Sequence, residues 1–174
     1  MNTLIIYGSH YGTTKRYAEK FAEMTSFPII NYEDVKTLNG YEQIIYFGAL
    51  YAGGIKGIKK IIKKLSSKQK LIIVTVGLAD VTNKENIVNI RNSIKKQIPE
   101  NILKTSSIFH LRGGIDYSKL NFIHRTMMKV VYRSLKNKPI ETLTQEDKGM
   151  IETYNKKVDF VDYNSLKQIL NEIK

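Results

Sequence analysis

The sequence has no cysteine among its 174 residues. This absence excludes disulfides, thiolate zinc sites, iron–sulfur clusters and cysteine nucleophiles, so any redox chemistry must belong to a bound organic cofactor. The chain also lacks an apolar run near the roughly 20 residues that a membrane-spanning helix needs, and the stretch Leu4–Tyr7 is too short for the apolar part of a secretory signal. We therefore expect a protein that stays in the cytoplasm.

The composition is that of an ordinary folded protein. Apolar residue types make up 42% of the chain and charged types 25%, close to the averages for soluble globular proteins and unlike those of disordered chains. A chain of this length usually forms one domain with its own core. We expect residues 1–174 to form a single domain.

Positive charge is concentrated in two segments. The formal net charge is +12; Lys56–Lys70 contains seven lysines, Lys119–Lys138 contains six Lys or Arg residues, and neither contains an acidic residue. Each segment is either a solvated outer face or a surface that meets anionic lipid, nucleic acid or an acidic redox protein. The sequence does not choose among these. Nucleic acid is disfavoured, because no recognisable single-strand-binding pattern accompanies the charges.

Apolar runs rich in β-branched residues alternate with helical periodicities, which predicts a parallel sheet covered by helices on both faces. The predicted strands are Thr3–Tyr7, Pro28–Asn31, Gln43–Ala49, Leu71–Val76 and Ser107–Leu111. The predicted helices between them are Thr13–Met24, Gly54–Leu65 and Lys84–Gln97, the last of which Pro99 ends.

After Leu111 the sequence changes character. Arg112–Gly114 interrupts the last strand, and a capping pattern at Thr144–Asp147 predicts a later helix that runs to about Lys157. The sequence therefore predicts a helical insert at about residues 113–160, followed by a final amphipathic helix with Leu166, Ile169, Leu170 and Ile173 on one face. The first helix of the insert is basic, and its apolar stripe is predicted at Leu120, Ile123, Met127, Val130, Val131 and Leu135.

The loop Gly8–Thr14 follows the first strand and is rich in glycine and hydroxyl residues. A strand that enters a helix in this way directs free N–H groups and the positive end of the helix dipole at one point, which suits a phosphate. The alternative is a hydroxyl-rich N-cap that only starts the helix. Nucleoside triphosphates and NAD are disfavoured, because the Gly-Lys-Ser/Thr ending and the G-x-G-x-x-G spacing are both absent.

Two further loops, Ala49–Gly54 and Thr75–Asp80, follow the third and fourth strands. In an open parallel sheet, ligands bind beyond the carboxyl ends of the strands, where these loops lie. The glycines permit close approach of the backbone to a flat ring, and the Tyr51 side chain is placed to cover one face of it.

Together these three loops resemble the FMN-binding loops of the flavodoxin family. The first loop of that family commonly reads T/S-x-T-G-x-T, which Ser9, Gly12 and Thr14 match and from which Tyr11 departs. The resemblance covers about residues 2–111 and the final helix. It implies an α/β fold, a flavodoxin-like doubly wound sheet of five parallel strands in the order 2-1-3-4-5, with helices on both faces.

The resemblance also implies FMN as the cofactor, whose ring carries out the chemistry without a catalytic side chain of the protein. No spacing of titratable residues in the sequence indicates a metal site or a catalytic triad. The expected cofactor-binding residues are Ser9, His10, Tyr11, Gly12, Thr13 and Thr14 around the phosphate, Leu50, Tyr51, Ala52, Gly53 and Gly54 on one side of the ring, and Thr75, Val76, Gly77, Leu78 and Asp80 on the other. A backbone carbonyl at Ala52, Gly53 or Gly54 would turn to accept a hydrogen bond from the reduced ring.

Within that family, the length, the basic character and the segment after the fifth strand resemble the quinone-dependent protoporphyrinogen dehydrogenases. This likeness implies an oxidoreductase at the inner face of the membrane, with a quinone or a redox protein as partner and an anionic surface met by Lys56–Lys70 and Lys119–Lys138. Two alternatives stay open: an electron carrier without its own substrate that docks acidic partners, and a cofactor-free module that binds membrane or nucleic acid.

Overall fold

The computed structural model describes residues 1–51, 54–143 and 145–173, and its core is one parallel sheet. The strands are β1 Thr3–Gly8, β2 Ile29–Asn31, β3 Gln43–Tyr51, β4 Gly54–Ile55, β5 Lys70–Gly77, β6 Ser107–Arg112, β7 Gly114–Asp116 and β8 Lys157–Asp159. The helices are α1 Thr13–Thr25, α2 Ile58–Ile62, α3 Lys84–Lys95, α4 Glu100–Thr105, α5 Phe122–Lys136, α6 Gln145–Thr153 and α7 Lys167–Glu172.

The five parallel strands lie in the order β2-β1-β3-β5-β6, which confirms the predicted order 2-1-3-4-5. The central strands are continuous apolar runs because helices cover both faces of the sheet. Ile5 and Phe47 face α1 and α7, whereas Ile6 and Tyr46 on the same strands face α2, α3 and α4. The register that aligns Gly8 with Gly48 of the neighbouring strand brings the carboxyl ends of β1 and β3 to one edge.

The second predicted helix, Gly54–Leu65, is wrong at its start and too long. Gly54 and Ile55 instead form a short antiparallel strand that pairs with Tyr51 and Leu50 at the end of β3. The helix begins only after Gly57, whose φ of 78° is left-handed, a conformation that glycine adopts without steric cost. The lysines of this helix are exposed beside its buried isoleucines, Ile58 and Ile61.

The insert contains the predicted helices and, in addition, a small sheet that the sequence did not predict. β7 and β8 pair antiparallel and bring Ile115 opposite Val158. The predicted helix over Thr144–Lys157 is α6, which ends at Thr153; Thr144 itself lies outside the described residues. Pro99 does not simply end a helix, because α3 stops at Lys95 and α4 begins directly after the proline.

The predicted apolar stripe of α5 is wrong at two positions. Met128 and Leu135 are buried, but Ile123 is 73% exposed and Val130 62% exposed. Met128 packs with Leu120 in a small cluster inside the insert, so this side of α5 faces inward. The opposite side therefore presents apolar side chains to solvent. Within residues 1–51, 54–143 and 145–173, no helix has the length and apolarity needed to cross a membrane.

Candidate functional site

A cavity of about 580 Å³ lies at the carboxyl edge of the sheet, among the loops that the sequence singled out. This volume is within the usual range for small-molecule and cofactor sites. The expected site residues that line it are His10, Tyr11, Thr13, Thr14, Leu50, Gly54, Val76, Gly77, Leu78 and Asp80. The insert supplies a further wall, formed by Met127, Met128, Val131, Lys148, Gly149, Met150 and Glu152.

Other expected site residues do not line the cavity. Ser9 Oγ accepts a hydrogen bond from the N–H of Gly12 at 3.1 Å, inside the loop itself. Thr75 is fully buried, and its Oγ1 lies 2.7 Å from His110 Nδ1 on the neighbouring strand. The side chain of Tyr51, together with Ala52 and Gly53, lies outside the described part of the chain.

A second cavity of about 590 Å³ lies at the amino end of the sheet, near Met1, Tyr41 and Lys68. Ligands of doubly wound sheets bind at the opposite edge, where helix N-termini point at the site. The carboxyl-edge cavity is therefore the candidate functional site.

The loop between β1 and α1 is shaped to receive an anion. Gly12 is the N-cap of α1 with a left-handed φ of 93°, and it makes no side-chain cap. The first turn of α1 contains no acidic residue, so its N–H groups and the helix dipole favour a negative ligand. Thr13 is already engaged, because its Oγ1 donates to the carbonyl of Gly114 at 3.4 Å.

Tyr11 ties this loop to the insert. Its ring packs against the buried cluster of Ile115, Tyr117, Leu120 and Met128, and it meets His10 edge-on with 4.6 Å between ring centroids. At the position that departs from the flavodoxin-type loop pattern, an aromatic ring that packs on the insert thus replaces the small threonine side chain.

Arg112 holds the loop after β5 and was not among the expected cofactor-binding residues. Its Nε donates to the carbonyl of Leu78 at 3.2 Å, and its Nη1 lies 3.9 Å from Asp80 Oδ2. Its guanidinium also stacks 3.8 Å from the ring centroid of Phe160 in the insert. Hydrogen bonds from Thr82 are the main reason that the pKa of Asp80 is lowered, with Arg112 adding to the effect. The Asp80 carboxylate is therefore ionised at neutral pH.

Asn86 on α3 supplies an acceptor at the cavity wall. Its Nδ2 donates to the carbonyl of Asp80 at 2.9 Å, which fixes the orientation of the amide. Its side chain is 3% exposed, and among the described residues its Oδ1 has no hydrogen-bond partner. A buried carbonyl oxygen without a partner costs about 1–3 kcal/mol, so a ligand N–H at this wall would be favourable.

The comparisons with known proteins agree with this geometry. Residues 4–142 match the sequence model of a family described as a flavodoxin domain. The chain belongs to the flavodoxin domain family. No curated protein matches the sequence.

Solved structures resemble this flavodoxin domain weakly. A flavoprotein of Lactobacillus acidophilus in complex with FMN is 12% identical with a TM-score of 0.46, over 64% of this chain and 91% of that one. A mutant flavodoxin from Pseudomonas aeruginosa is 16% identical with a TM-score of 0.40, over 75% of this chain and 93% of the other. An archaeal flavodoxin is 13% identical with a TM-score of 0.41, over 65% and 85%.

The residues of this flavodoxin domain fit the cofactor that the sequence predicts, FMN. The Gly12 loop provides N–H donors for a phosphate, and Asn86 Oδ1 provides an acceptor for a ring N–H. The family assignment supports the same cofactor. Sequence reasoning missed Asn86 as part of the site, because it lies inside a helix, and it did not expect Arg112, at the end of a strand, to take part in cofactor binding.

A substitution at Gly54 tests the part of this flavodoxin-domain site that is expected to contact the flavin ring. A Cβ at Gly54 would overlap the side chain of Gln97, whose Oε1 accepts the N–H of Ile55 at 2.9 Å. We expect Gly54→Val to displace Gln97 and to shift the potential of bound FMN by about 20 mV, since about 1 kcal/mol corresponds to that shift for two electrons. Spectroelectrochemical titration measures it, and an unchanged potential would remove Gly54 from the ring-binding residues.

Proposed function

We propose that the protein is an FMN-dependent oxidoreductase of the protoporphyrinogen dehydrogenase type that works at an anionic membrane surface. The observation that carries the proposal is the wall that the insert adds to the flavin cavity. Bound FMN would supply the redox chemistry, because its ring accepts a hydride or single electrons while the protein fixes its position.

The insert wall favours a small substrate over a docked protein. Met127, Met128 and Met150 line the cavity opposite the sheet, and methionine side chains adapt well to large apolar ligands. Arg112 and Lys148 line the same cavity, together with the carboxylates of Asp80, which Arg112 faces at 3.9 Å, and Glu152. The methionine wall matches the apolar ring system of a porphyrinogen, and Arg112 and Lys148 are the basic groups that would meet its carboxylate side chains.

The outer side of α5 suits the surface of a membrane. Phe122 is 83% exposed and Ile123 73% exposed, while Lys129 and Arg133 are exposed on the same helix. Amphipathic basic helices of this kind lie at the boundary between headgroups and acyl chains of anionic bilayers. A membrane at α5 would bring a quinone, which dissolves in the bilayer, close to the insert wall of the cavity.

A second candidate function is electron transfer to an acidic protein without a substrate of its own. The observation that favours it is the exposed row of Lys59, Lys60, Lys63 and Lys64 on α2 and directly after it. This row lies outside the insert, and the membrane proposal does not use it. Steering by such a charged surface raises association rates and is strongly salt-dependent.

Turnover distinguishes the two functions. The protein loaded with FMN is mixed with protoporphyrinogen and a quinone in the presence of anionic vesicles, and porphyrin fluorescence is followed. We expect porphyrin to form at a rate proportional to the protein concentration. No porphyrin above the rate of autoxidation, together with salt-sensitive reduction of an acidic redox protein, would establish the electron carrier instead.

A further inference from the structure

Three basic side chains from three separate elements form a row beside the β1–α1 loop. Lys56 comes from the connection between β4 and α2, His10 from the loop, and His124 from α5 of the insert. Lys56 Nζ lies 3.2 Å from His10 Nδ1, and His10 Nε2 lies 3.0 Å from His124 Nε2. Lys56 Nζ also donates to the carbonyl of Ser9 at 2.9 Å. Lys56, at one end of the row, is therefore bonded to the first residue after β1.

The contacts assign the proton positions along the row. The Lys56 ammonium only donates, so His10 Nδ1 accepts from it, and His10 Nε2–H then donates to His124 Nε2. In this arrangement His10 is neutral. Burial lowers the pKa of His10, and the charge of Lys56 beside it lowers it further, which agrees with a neutral ring. The ammonium of Lys56 is therefore the positive charge that lies directly beside the loop.

This charge has no carboxylate beside it. Within residues 1–51, 54–143 and 145–173, Lys56 forms no ion pair, although Lys15, Lys20, Lys104 and Lys157 do so at the surface. Lys56 is also half-buried, and a partly desolvated cation gains more from a nearby anion than an exposed one does. The nearest feature built for an anion is the loop whose Ser9 carbonyl Lys56 holds.

We propose that Lys56, oriented by His10 and His124, supplies the counter-charge for the phosphoryl group of FMN, so that the site selects the phosphorylated flavin over riboflavin. This inference rests on the proposed binding of FMN. The N–H groups of the loop would hold the phosphate in position, and Lys56 would provide the positive charge that neutral donors lack. His124 is a positioning residue, and through it the insert contributes to cofactor selection.

The test compares two ligands that differ only in the phosphate. Dissociation constants for FMN and riboflavin are measured by quenching of flavin fluorescence, for the wild type and for Lys56→Gln. We expect FMN to bind about 10- to 100-fold more weakly to the variant, as for the loss of one charged hydrogen-bonding partner, while riboflavin affinity stays the same. Lys59→Gln, an exposed neighbour with the same change of charge, is expected to leave both constants unchanged.

Two further variants separate charge from structure. Lys56→Arg keeps the charge and is expected to retain most of the preference for FMN. His124→Phe keeps a ring but removes the hydrogen bond, and we expect it to reduce the FMN preference without changing riboflavin affinity.

Different results would overturn the role of Lys56 and the proposed function. Equal losses of FMN and riboflavin affinity in Lys56→Gln, or an unchanged preference for FMN, would overturn this role of Lys56 and leave the flavin site intact. A wild-type protein that binds neither flavin would overturn the proposed function and this inference together.

Discussion

Replacing Phe122 and Ile123 by serine is expected to abolish co-flotation of the protein with anionic vesicles. The two side chains are 83% and 73% exposed in the free protein, so their loss removes apolar surface without opening the core. If they enter the bilayer interface, their removal costs about 3 kcal/mol in total, which is more than a 100-fold loss in partitioning. Vesicle flotation measures this directly.

A matched control uses exposed apolar residues elsewhere. Met24→Ser with Val88→Ser removes apolar side chains that are 41% and 56% exposed on α1 and α3, and it should leave flotation unchanged. Flotation of the Phe122/Ile123 variant at the wild-type level would contradict docking through α5.

The charge of α5 is tested separately with Lys129→Gln and Arg133→Gln. Arg125 is left in place, because its Nη2 donates to the carbonyl of Tyr117 at 3.2 Å and so has a structural role. Each basic residue near an anionic surface contributes about 1 kcal/mol, so this pair should weaken binding roughly 30-fold. Lys59→Gln with Lys63→Gln, the same change of charge at α2, is the control for net charge.

Gly8→Val is expected to weaken FMN binding by about 100-fold. A Cβ at Gly8 would lie 2.5 Å from the carbonyl oxygen of Lys56 and 2.7 Å from the hydroxyl of Tyr46, which donates to that carbonyl. Overpacking of this kind costs up to about 3 kcal/mol. The valine side chain would displace the segment that carries Lys56, and the phosphate loop begins at Ser9, directly after Gly8. We therefore expect the free-energy cost of the overpacking to appear as a loss of FMN affinity.

Gly40→Ala is the control variant for a loss of stability that does not involve the flavin site. Gly40 has a φ of 85°, so alanine is strained there, but no atom lies within 4 Å of its added Cβ. Gly40 borders the amino-end cavity, far from the flavin loops. We expect this variant to melt at a lower temperature and to bind FMN normally; an equal loss of FMN affinity in both variants would show that the Gly8 effect is not local.

The sheet was predictable because its strands are buried on both faces. Runs such as Gln43–Ala49 and Leu71–Val76 are continuous and apolar, and their parallel order follows from the helices between them. The loop at Gly8–Thr14 was also singled out from the sequence, because glycine and hydroxyl residues between a strand and a helix suit either an anion site or a helix N-cap. In the structure, His10, Tyr11, Thr13 and Thr14 of this loop line the carboxyl-edge cavity.

The remaining features depend on contacts that are distant in sequence. β7 and β8 are three residues each and pair Gly114 with Asp159, which no local pattern reveals. The stripe of α5 was misread because apolar residues lie on two sides of that helix, and only its packing on Leu120 shows that Met128 faces inward. From the sequence, Lys56 was assigned to the charged segment Lys56–Lys70. In the structure it follows the short strand β4, and its side chain donates to the carbonyl of Ser9.

The most direct measurement is the visible absorption spectrum of the protein after incubation with FMN and removal of free flavin by gel filtration. We expect the two bands of an oxidised flavin at one FMN per chain, and a spectrum nearly free of flavin for Gly8→Val. A wild-type protein that elutes colourless would contradict the assignment of the carboxyl-edge cavity as an FMN site.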